Sequence, residues 1–339
     1  MTAPPSTSHA DPSTKKTFIV GTRQSKLALL QTDLVIASLK EACPDCSFQV
    51  LSKETAGDLN QKAFREISTK NLWTEELEEL LVAGEVDFIV HSLKDVPTLI
   101  PASCTLGPML KREDPRDVLV MKTGLPYKGL ADLPPGSVVG TSSVRRSAQL
   151  ARRYPHLKIQ DVRGNIGTRL AKLDAEDSPF SCIILAAAGL LRVGLQDRIT
   201  QYLDSKTGGM LHAVGQGALG IEIRRDDRLM LDMLDRIGHH ETTFAALAER
   251  SLLRTLEGGC SAPLGVETEW VRDSDEAPKL RMKSIVVSVD GTESSEVELD
   301  GVVNAPETAE AFGVTVANAL VQRGGGEILE TIHQNKEAP

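Results

Sequence analysis

Cys260 stands in the run Glu257-Gly258-Gly259-Cys260-Ser261-Ala262-Pro263, with no second cysteine or histidine beside it to complete a metal site. The two glycines permit backbone angles that a side chain would forbid, and the proline stiffens the exit, so the thiol can be presented at a fixed point. That arrangement points to covalent chemistry. The competing reading is the common fate of a free cysteine, burial as a small hydrophobe.

Five arginine-bearing segments mark the ends of predicted strands or the starts of predicted helices: Arg23, Arg145 with Arg146, Arg163, Arg169 and Arg192. In α/β sheets the carboxyl ends of strands face the ligand crevice, and helix N-termini add unsatisfied N–H groups. Gly21-Thr22-Arg23-Gln24-Ser25, Gly140-Thr141-Ser142-Ser143-Val144-Arg145-Arg146 and Asp161-Val162-Arg163-Gly164-Asn165 share one design, a strand ending in small residues beside arginine. Any one of these arginines alone could be a surface ion pair worth less than about 1 kcal/mol. Clustered, they suit a ligand with several carboxylates, because the guanidinium fork pairs two-to-two with them. No glycine-rich loop with a Walker-type lysine is present, which argues against a nucleotide phosphate.

His91-Ser92-Leu93-Lys94-Asp95-Val96-Pro97 follows the most apolar predicted strand of the first unit and brings a carboxylate to the same edge. Asp95 is the candidate catalytic acid or base, against the alternative of a local turn cap. Lys94 either binds the anion or is solvated. His91 reads more readily as a packed strand-end residue than as a proton shuttle. Cys43-Pro44-Asp45-Cys46 has redox or zinc spacing but no matching second pair of ligands, and His239-His240 reads as solvated.

The elements that must position these residues alternate. Phe18-Ile19-Val20 reads as a strand, followed by a helix with Leu27, Leu30, Leu34 and Leu39 on its apolar side; a strand at Phe48–Leu51, a helix at Leu72–Ala83 and a strand at Val86–Val90 follow. After a proline-punctuated link near 111–115 the pattern repeats, with strands at Val118–Met121, Val138–Gly140, Ile159–Val162 and Ile183–Ala186 and helices at Val144–Arg153 and Ile166–Asp174. Such alternation predicts parallel sheets covered by helices. From about residue 240 the grammar changes to a helix at Phe244–Leu256, strands near Val266, Met282–Val289 and Val297–Val303, and a final helix at Thr308–Gln322. This third unit reads as α+β and antiparallel.

A chain of 339 residues is long enough for two or three cores. With 41% hydrophobic residues and no apolar run near the roughly 20 needed to cross a bilayer, it reads as globular, with no membrane partner. The net charge of −9 and only 4% aromatic residues argue against a nucleic-acid surface. Five scattered cysteines do not form a disulfide framework, so a cytoplasmic location is expected. Residues 1–16, rich in Ser, Thr and Pro, read as a disordered tail, and the polar stretch 53–71 as a mobile loop over a site.

Taken together, Gly21–Ala28, His91–Pro97, Ser143–Leu150, Asp161–Asn165, Ala187–Leu190 before Arg192, Val214–Ala218 and Gly258–Cys260 closely resemble the porphobilinogen deaminase (hydroxymethylbilane synthase) family, in order from Gly21 to about Gly265. The resemblance implies three domains: two periplasmic-binding-protein-like α/β lobes around a cleft, and a smaller α+β C-terminal domain with an antiparallel sheet. Their expected extents are 17–111 with 215–238, then 112–214, then 239–339. It implies a monomeric enzyme of haem biosynthesis that joins four porphobilinogen molecules head to tail, releasing ammonia each time, and then hydrolyses off the linear tetrapyrrole. A dipyrromethane cofactor would hang by a thioether from Cys260, and no metal is implied.

By the same resemblance, Asp95 is the catalytic carboxylate. Lys94, Thr141, Ser143, Arg145, Arg146, Arg163, Gly164 and Gln216 would hold the cofactor. Arg23, Ser25, Arg169 and Arg192, with Asp58 and Lys70 of the lid at 53–71, would hold substrate. The chain departs from the family pattern at Trp73, where many members have phenylalanine, and at Glu75, where lysine is common. Two other classes fit parts of the pattern. A cytoplasmic solute-binding protein would share the lobes and cleft but has no use for Cys260 or Asp95, and a nucleotide-binding transferase would need a phosphate loop.

Overall fold

β1 (Thr17–Arg23) sits at the inside of a five-stranded sheet, and its alternation buries Phe18, Val20 and Thr22 on one face. It leads straight into α1 (Lys26–Ala42), where the Ser25 hydroxyl accepts the Ala28 N–H at 3.3 Å and so satisfies one of the free donors of the first turn. The computed structural model describes residues 16–53, 74–256, 262–272 and 277–337. Asp58, Lys70, Trp73 and Cys260 lie outside these residues, as do the expected tail and lid apart from Lys16 and Lys53.

α1 buries Ala28, Gln31, Thr32, Val35, Ile36 and Leu39, spaced three and four apart. Of the apolar side expected at Leu27, Leu30, Leu34 and Leu39, Leu39 is buried as expected, but Leu34 is 48% exposed, and the rest of the seam uses Gln31 and smaller or β-branched residues. β2 (Ser47–Lys53), α2 (Glu75–Ala83), β3 (Phe88–Ser92) and β4 (Cys104–Leu106) complete the outward part of this lobe.

The chain then crosses to a second sheet. β5 (Asp117–Met121), β6 (Val138–Gly140), α3 (Val144–Arg153), β7 (Lys158–Gln160), α4 (Ile166–Asp174), β8 (Cys182–Ala186), α5 (Ala187–Arg192) and β9 (Gln201–Leu203) form it, in strand order β7-β6-β8-β5-β9. It returns through β10 (Leu219–Arg224) to the first sheet, whose order is β2-β1-β3-β10-β4. The sheets are mixed, which corrects the expectation of parallel ones: β5 runs antiparallel to β8 and β9, and β10 antiparallel to β3 and β4. Each of these strands enters its sheet from the opposite lobe, so it meets its neighbours running the other way. β1, β2, β3 and β6, β7, β8 pair in parallel, as alternation with helices requires.

α6 (Arg228–Asp235) covers the first sheet, and α7 (His240–Thr255) begins the third unit. His239 is not simply solvated, since its Nδ1 caps α7 by accepting the Thr242 N–H at 3.2 Å. β11 (Leu264–Val271), β12 (Lys279–Val287) and β13 (Ser294–Val302) form an antiparallel sheet, and α7, α8 (Pro306–Leu320) and α9 (Gly326–Glu337) supply its core with Leu252, Val316, Leu320 and Ile328 against Val266, Met282 and Val297. α9 was not anticipated from the sequence.

The three units meet at one buried ion pair. Arg112, on the outgoing crossover, donates to both Glu249 carboxylate oxygens at 2.6 and 3.0 Å, and its Nε donates to the Gln216 carbonyl at 2.7 Å. Glu249, on α7, also accepts the Gly215 N–H and the Thr268 hydroxyl, both at 2.8 Å. Burial would raise the Glu249 pKa, but Arg112 and these donors hold it below the usual range. His212 nearby is kept neutral by burial and by Arg112, its pKa pulled down to about 4. Gly215 has φ +70, and a Cβ there would lie 2.8 Å from Leu93 Cγ, so only glycine lets the crossover pack on the turn that carries Asp95. Replacing Glu249 by Gln should leave Arg112 buried without its counter-charge and lower stability by about 3–5 kcal/mol, read as a shift of the denaturant midpoint.

Candidate functional site

β3 ends at Ser92 and tightens into a 3₁₀ turn, Leu93–Asp95, which brings Asp95 into a pocket shared with Arg23, Ser25, Thr74, His91 and Ser92. The turn is held from three sides. Leu93 N–H donates to the Ala218 carbonyl at 3.0 Å, the Ser92 hydroxyl pairs with buried Gln31 of α1 at 2.8 Å, and Arg250 of α7 donates to the carbonyls of Val96 and Pro97 at 3.0 and 2.6 Å. Asp95 itself accepts no hydrogen bond among the described residues. The cap alternative therefore has no bond behind it, and the half-buried carboxylate is left facing the pocket.

Charge from the second lobe bears on this turn. Burial pulls the Lys94 pKa down, with Asp95 opposing and Arg146 of α3 adding to the fall. Arg169 of α4 is drawn down to about 10 by burial and by Arg146, with Asp95 opposing. Arg145 and Arg146 are only 5% and 6% exposed. A partner that sequence reading did not name holds both: Asp117, at the start of β5, takes Arg145 Nη1 at 2.8 Å and Arg146 Nη2 at 2.7 Å. Arg145 Nη1 also donates to the Leu211 carbonyl (2.5 Å), and Arg146 Nη1 to the Ile184 carbonyl (2.8 Å). Gln216 donates to Asp117 at 2.9 Å and to the Pro115 carbonyl at 2.7 Å. Burial alone would raise the Asp117 pKa; the two guanidinium groups outweigh it and hold the carboxyl far below the usual range.

The other expected residues gather at the same edge of the second sheet. Thr141 is buried, and its hydroxyl accepts the Ser143 N–H at 3.2 Å, which shapes the entry to α3. Arg163 follows β7, 29% exposed and 3.2 Å from Asp161. Gly164 has φ +115, and its carbonyl takes Arg169 Nε at 2.7 Å, so this glycine sets the aim of that arginine. Arg192, at the end of α5, donates to the Gly217 carbonyl at 2.7 Å, and burial lowers its pKa against the pull of Glu113. Glu75, next to Thr74 of the pocket wall, is exposed in the first turn of α2 and does not line the pocket itself. Cys43 and Cys46 are free thiols, Cys43 lying 3.6 Å from Arg236.

Lys94, Arg145, Arg146 and Arg169 thus face two carboxylates, Asp95 and Asp117. Nε of Arg145 and of Arg146 are buried with no hydrogen-bond partner among the described residues. Buried cations in excess of anions, with donors left over, fit a small ligand bearing several carboxylates, as a dipyrromethane does. No described helix is long and apolar enough to cross a membrane.

Two family models match the chain. One, described as porphobilinogen deaminase, dipyromethane cofactor binding domain, matches residues 18–232, and the other, porphobilinogen deaminase, C-terminal domain, matches 243–322. Proteins named porphobilinogen deaminase are similar over nearly the whole chain: one from Neurospora crassa is 53% identical, covering 95% of this chain and 96% of its own, and one from Saccharomyces cerevisiae is 49% identical, covering 95% and 98%. One from Yarrowia lipolytica is 54% identical, covering 93% of each. Among solved structures, the periplasmic VFT2 domain of Bordetella pertussis BvgS aligns with a TM-score of 0.40 and 13% identity over 66% of this chain and 88% of that one.

Because the folded-state pKa of Asp117 is depressed, its stabilising contribution is complete above the unfolded value near 4 and fades as the pH falls below it. Asp117→Asn should therefore cost about 3–5 kcal/mol between pH 5 and 8, and the gap from the unaltered protein should narrow only below about pH 4. Denaturant midpoints measured across this range check it.

Proposed function

The chain belongs to the porphobilinogen deaminase family, and on that premise we propose that it condenses four porphobilinogen molecules stepwise, head to tail, with loss of ammonia, and then releases the linear bilane by hydrolysis. The reading makes it a transferase of tetrapyrrole synthesis, monomeric and cytoplasmic. The observation that carries it is the carboxylate of Asp95, which accepts no hydrogen bond among the described residues, in a pocket walled by Arg23 and Ser25 and overlooked by Arg169. When bound, the dipyrromethane supplies a covalently held terminal pyrrole at which condensation begins.

Cys260 is the proposed attachment point, because of its glycine-flanked turn and the family's thioether chemistry. Lys94, Arg145, Arg146 and Arg163, with Thr141, Ser143, Gly164 and Gln216, are the proposed cofactor cradle. In that cradle Asp117 and Gln216 fix the arginines so that their unspent donors are aimed before any ligand arrives. Such preorganisation lowers the cost of binding. Arg23, Ser25, Arg169 and Arg192 are the proposed substrate contacts, with Asp58 and Lys70 assigned by family resemblance.

Asp95 is proposed to accept the pyrrole N–H of the incoming ring and to stabilise the positive charge that spreads over that ring as ammonia leaves. Its partial burial strengthens this effect, and Arg250 and Gln31 keep the turn from yielding. Arg169 and Lys94 balance the carboxylate before substrate enters.

Asp95→Asn keeps the shape and removes the charge. Ammonia release and bilane formation by purified, cofactor-loaded enzyme should fall by at least a hundredfold, on the order of 3 kcal/mol of barrier or more, with folding intact. Asp95→Glu should recover part of the loss, and near-normal turnover in the Asn variant would sink the assignment. A second check falls on Arg163, whose fork lysine's point charge cannot reproduce. Arg163→Lys should weaken cofactor loading or substrate affinity, and unchanged loading, affinity and turnover would count against its role.

A further inference from the structure

Behind the wall of the Asp95 pocket lies a buried polar cluster that the proposed mechanism leaves unused. His91 on β3 and Glu222 on β10 share a face of the first sheet, in diagonal register, with His91 Nε2 3.3 Å from Glu222 Oε2. Glu222 is fully buried, and neither of its oxygens accepts a hydrogen bond among the described residues. Glu78 of α2 closes the cluster. Burial first and Glu222 second raise its pKa, while Thr74, His91 and Glu75 act more weakly on it. The Cys104 thiol on β4 is pushed up by burial and by Glu222 as well. A carboxylate buried this way is weak material for stability, since apolar residues of the same size usually serve as well or better.

The cluster opens toward the reacting centre at one residue. His91 lines the same pocket as Asp95, Arg23, Ser25 and Thr74. Among the described residues lining that pocket, Arg23, Asp95 and His91 are the titratable ones. Arginine stays protonated, and Asp95 is needed as an anion. Imidazole alone has an ordinary pKa near neutrality and can both take and return a proton there.

We propose that His91, oriented by Glu222, carries the proton displaced at each condensation, a reading that rests on the proposed function. Substrate enters with a protonated amine, and its C–N bond breaks with the electron pair leaving on ammonia. The exposed methylene carbon then bonds to the unsubstituted α carbon of the acceptor pyrrole. The C–H bond at that carbon breaks, its electrons restore the aromatic ring, and the proton passes to the His91 nitrogen that does not face Glu222. That nitrogen makes no hydrogen bond among the described residues. The ammonia released earlier then takes the proton from His91 and departs as ammonium, which returns the imidazole to its starting state. Glu222 is a positioning residue: its buried carboxylate, 3.3 Å from Nε2, steadies the imidazolium while it exists. Among the described residues, the charged or titratable groups around this imidazole are Glu222, Glu78, Cys104, Arg23 and Asp95.

The test uses full-length, cofactor-loaded protein and porphobilinogen deuterated at its unsubstituted α carbon. His91→Gln retains an amide donor toward Glu222 and removes the base. Turnover should fall about a hundredfold. Deuterium should slow the variant by a primary isotope effect larger than that of the unaltered enzyme, because proton removal has become limiting. Glu222→Gln should show the same change in milder form and a displaced pH profile. It should also move the titration of the His91 ring nitrogens followed by ¹⁵N NMR in the resting protein, a readout that needs no turnover. Near-normal rates in His91→Gln, or slow rates with an unchanged isotope effect, would overturn the proposal. If His91→Gln fails to fold or load, the isotope effect and NMR titration of Glu222→Gln decide in its place. Failure of the unaltered protein to make bilane would instead overturn the functional reading.

Discussion

Buried positive charge without matching negative charge is the constraint around which this molecule is arranged. Burial and then Arg146 pull down the pKa of Arg169, Arg146 also adds to the fall that burial imposes on Lys94, and among the described residues Asp95 and Asp117 are set against the four cations. Cations in so little water are tolerated when each is fixed and an anion completes the set. Asp117 does the fixing, and a ligand rich in carboxylates completes it. The same surplus explains how a chain with net charge −9 can hold a polyanion, since the local field of a cleft and not the overall charge governs binding there.

A cleft between two sheets keeps its geometry only if the chain segments crossing between them are controlled. Here both crossovers are tied to each other and to the third unit through Arg112, Glu249, Gly215 and Gln216. Gln216 also reaches Asp117, so the junction is one bond removed from the arginine pair. Arg250, from the same helix as Glu249, grips the carbonyls next to Asp95. α7 therefore supports the Asp95 turn and the junction together, which ties the third unit to the candidate site.

Much of this was legible in the sequence because it is local. Small residues beside arginine at a strand end, a helix start one or two residues on, and a carboxylate after an apolar strand are all short-range patterns, and Arg23, Asp95, Arg145 and Arg169 gather where those patterns put them. What escaped depends on distance along the chain. The pairing of Arg146 with Asp117, of Arg112 with Glu249 and of His91 with Glu222 joins residues dozens to more than a hundred positions apart, and single-residue chemistry leaves no mark of it. The direction of β5 and β10 escaped for the same reason, since it follows from which lobe each strand arrives from. The buried face of α1 shares Leu39 with the expected one but is otherwise rotated, because Ala28, Val35 and Ile36 fit the close approach to the sheet.

The account stands on a covalent primer held through Cys260 in a cleft built for carboxylates. Intact mass of the purified full-length chain, followed by mapping of the peptide that contains Cys260, tests it most directly. The account predicts a mass above that of the chain by one dipyrromethane, confined to that peptide and absent from Cys260→Ser. A chain of unmodified mass that still turns porphobilinogen into bilane, or a pyrrole adduct on another residue, would contradict it.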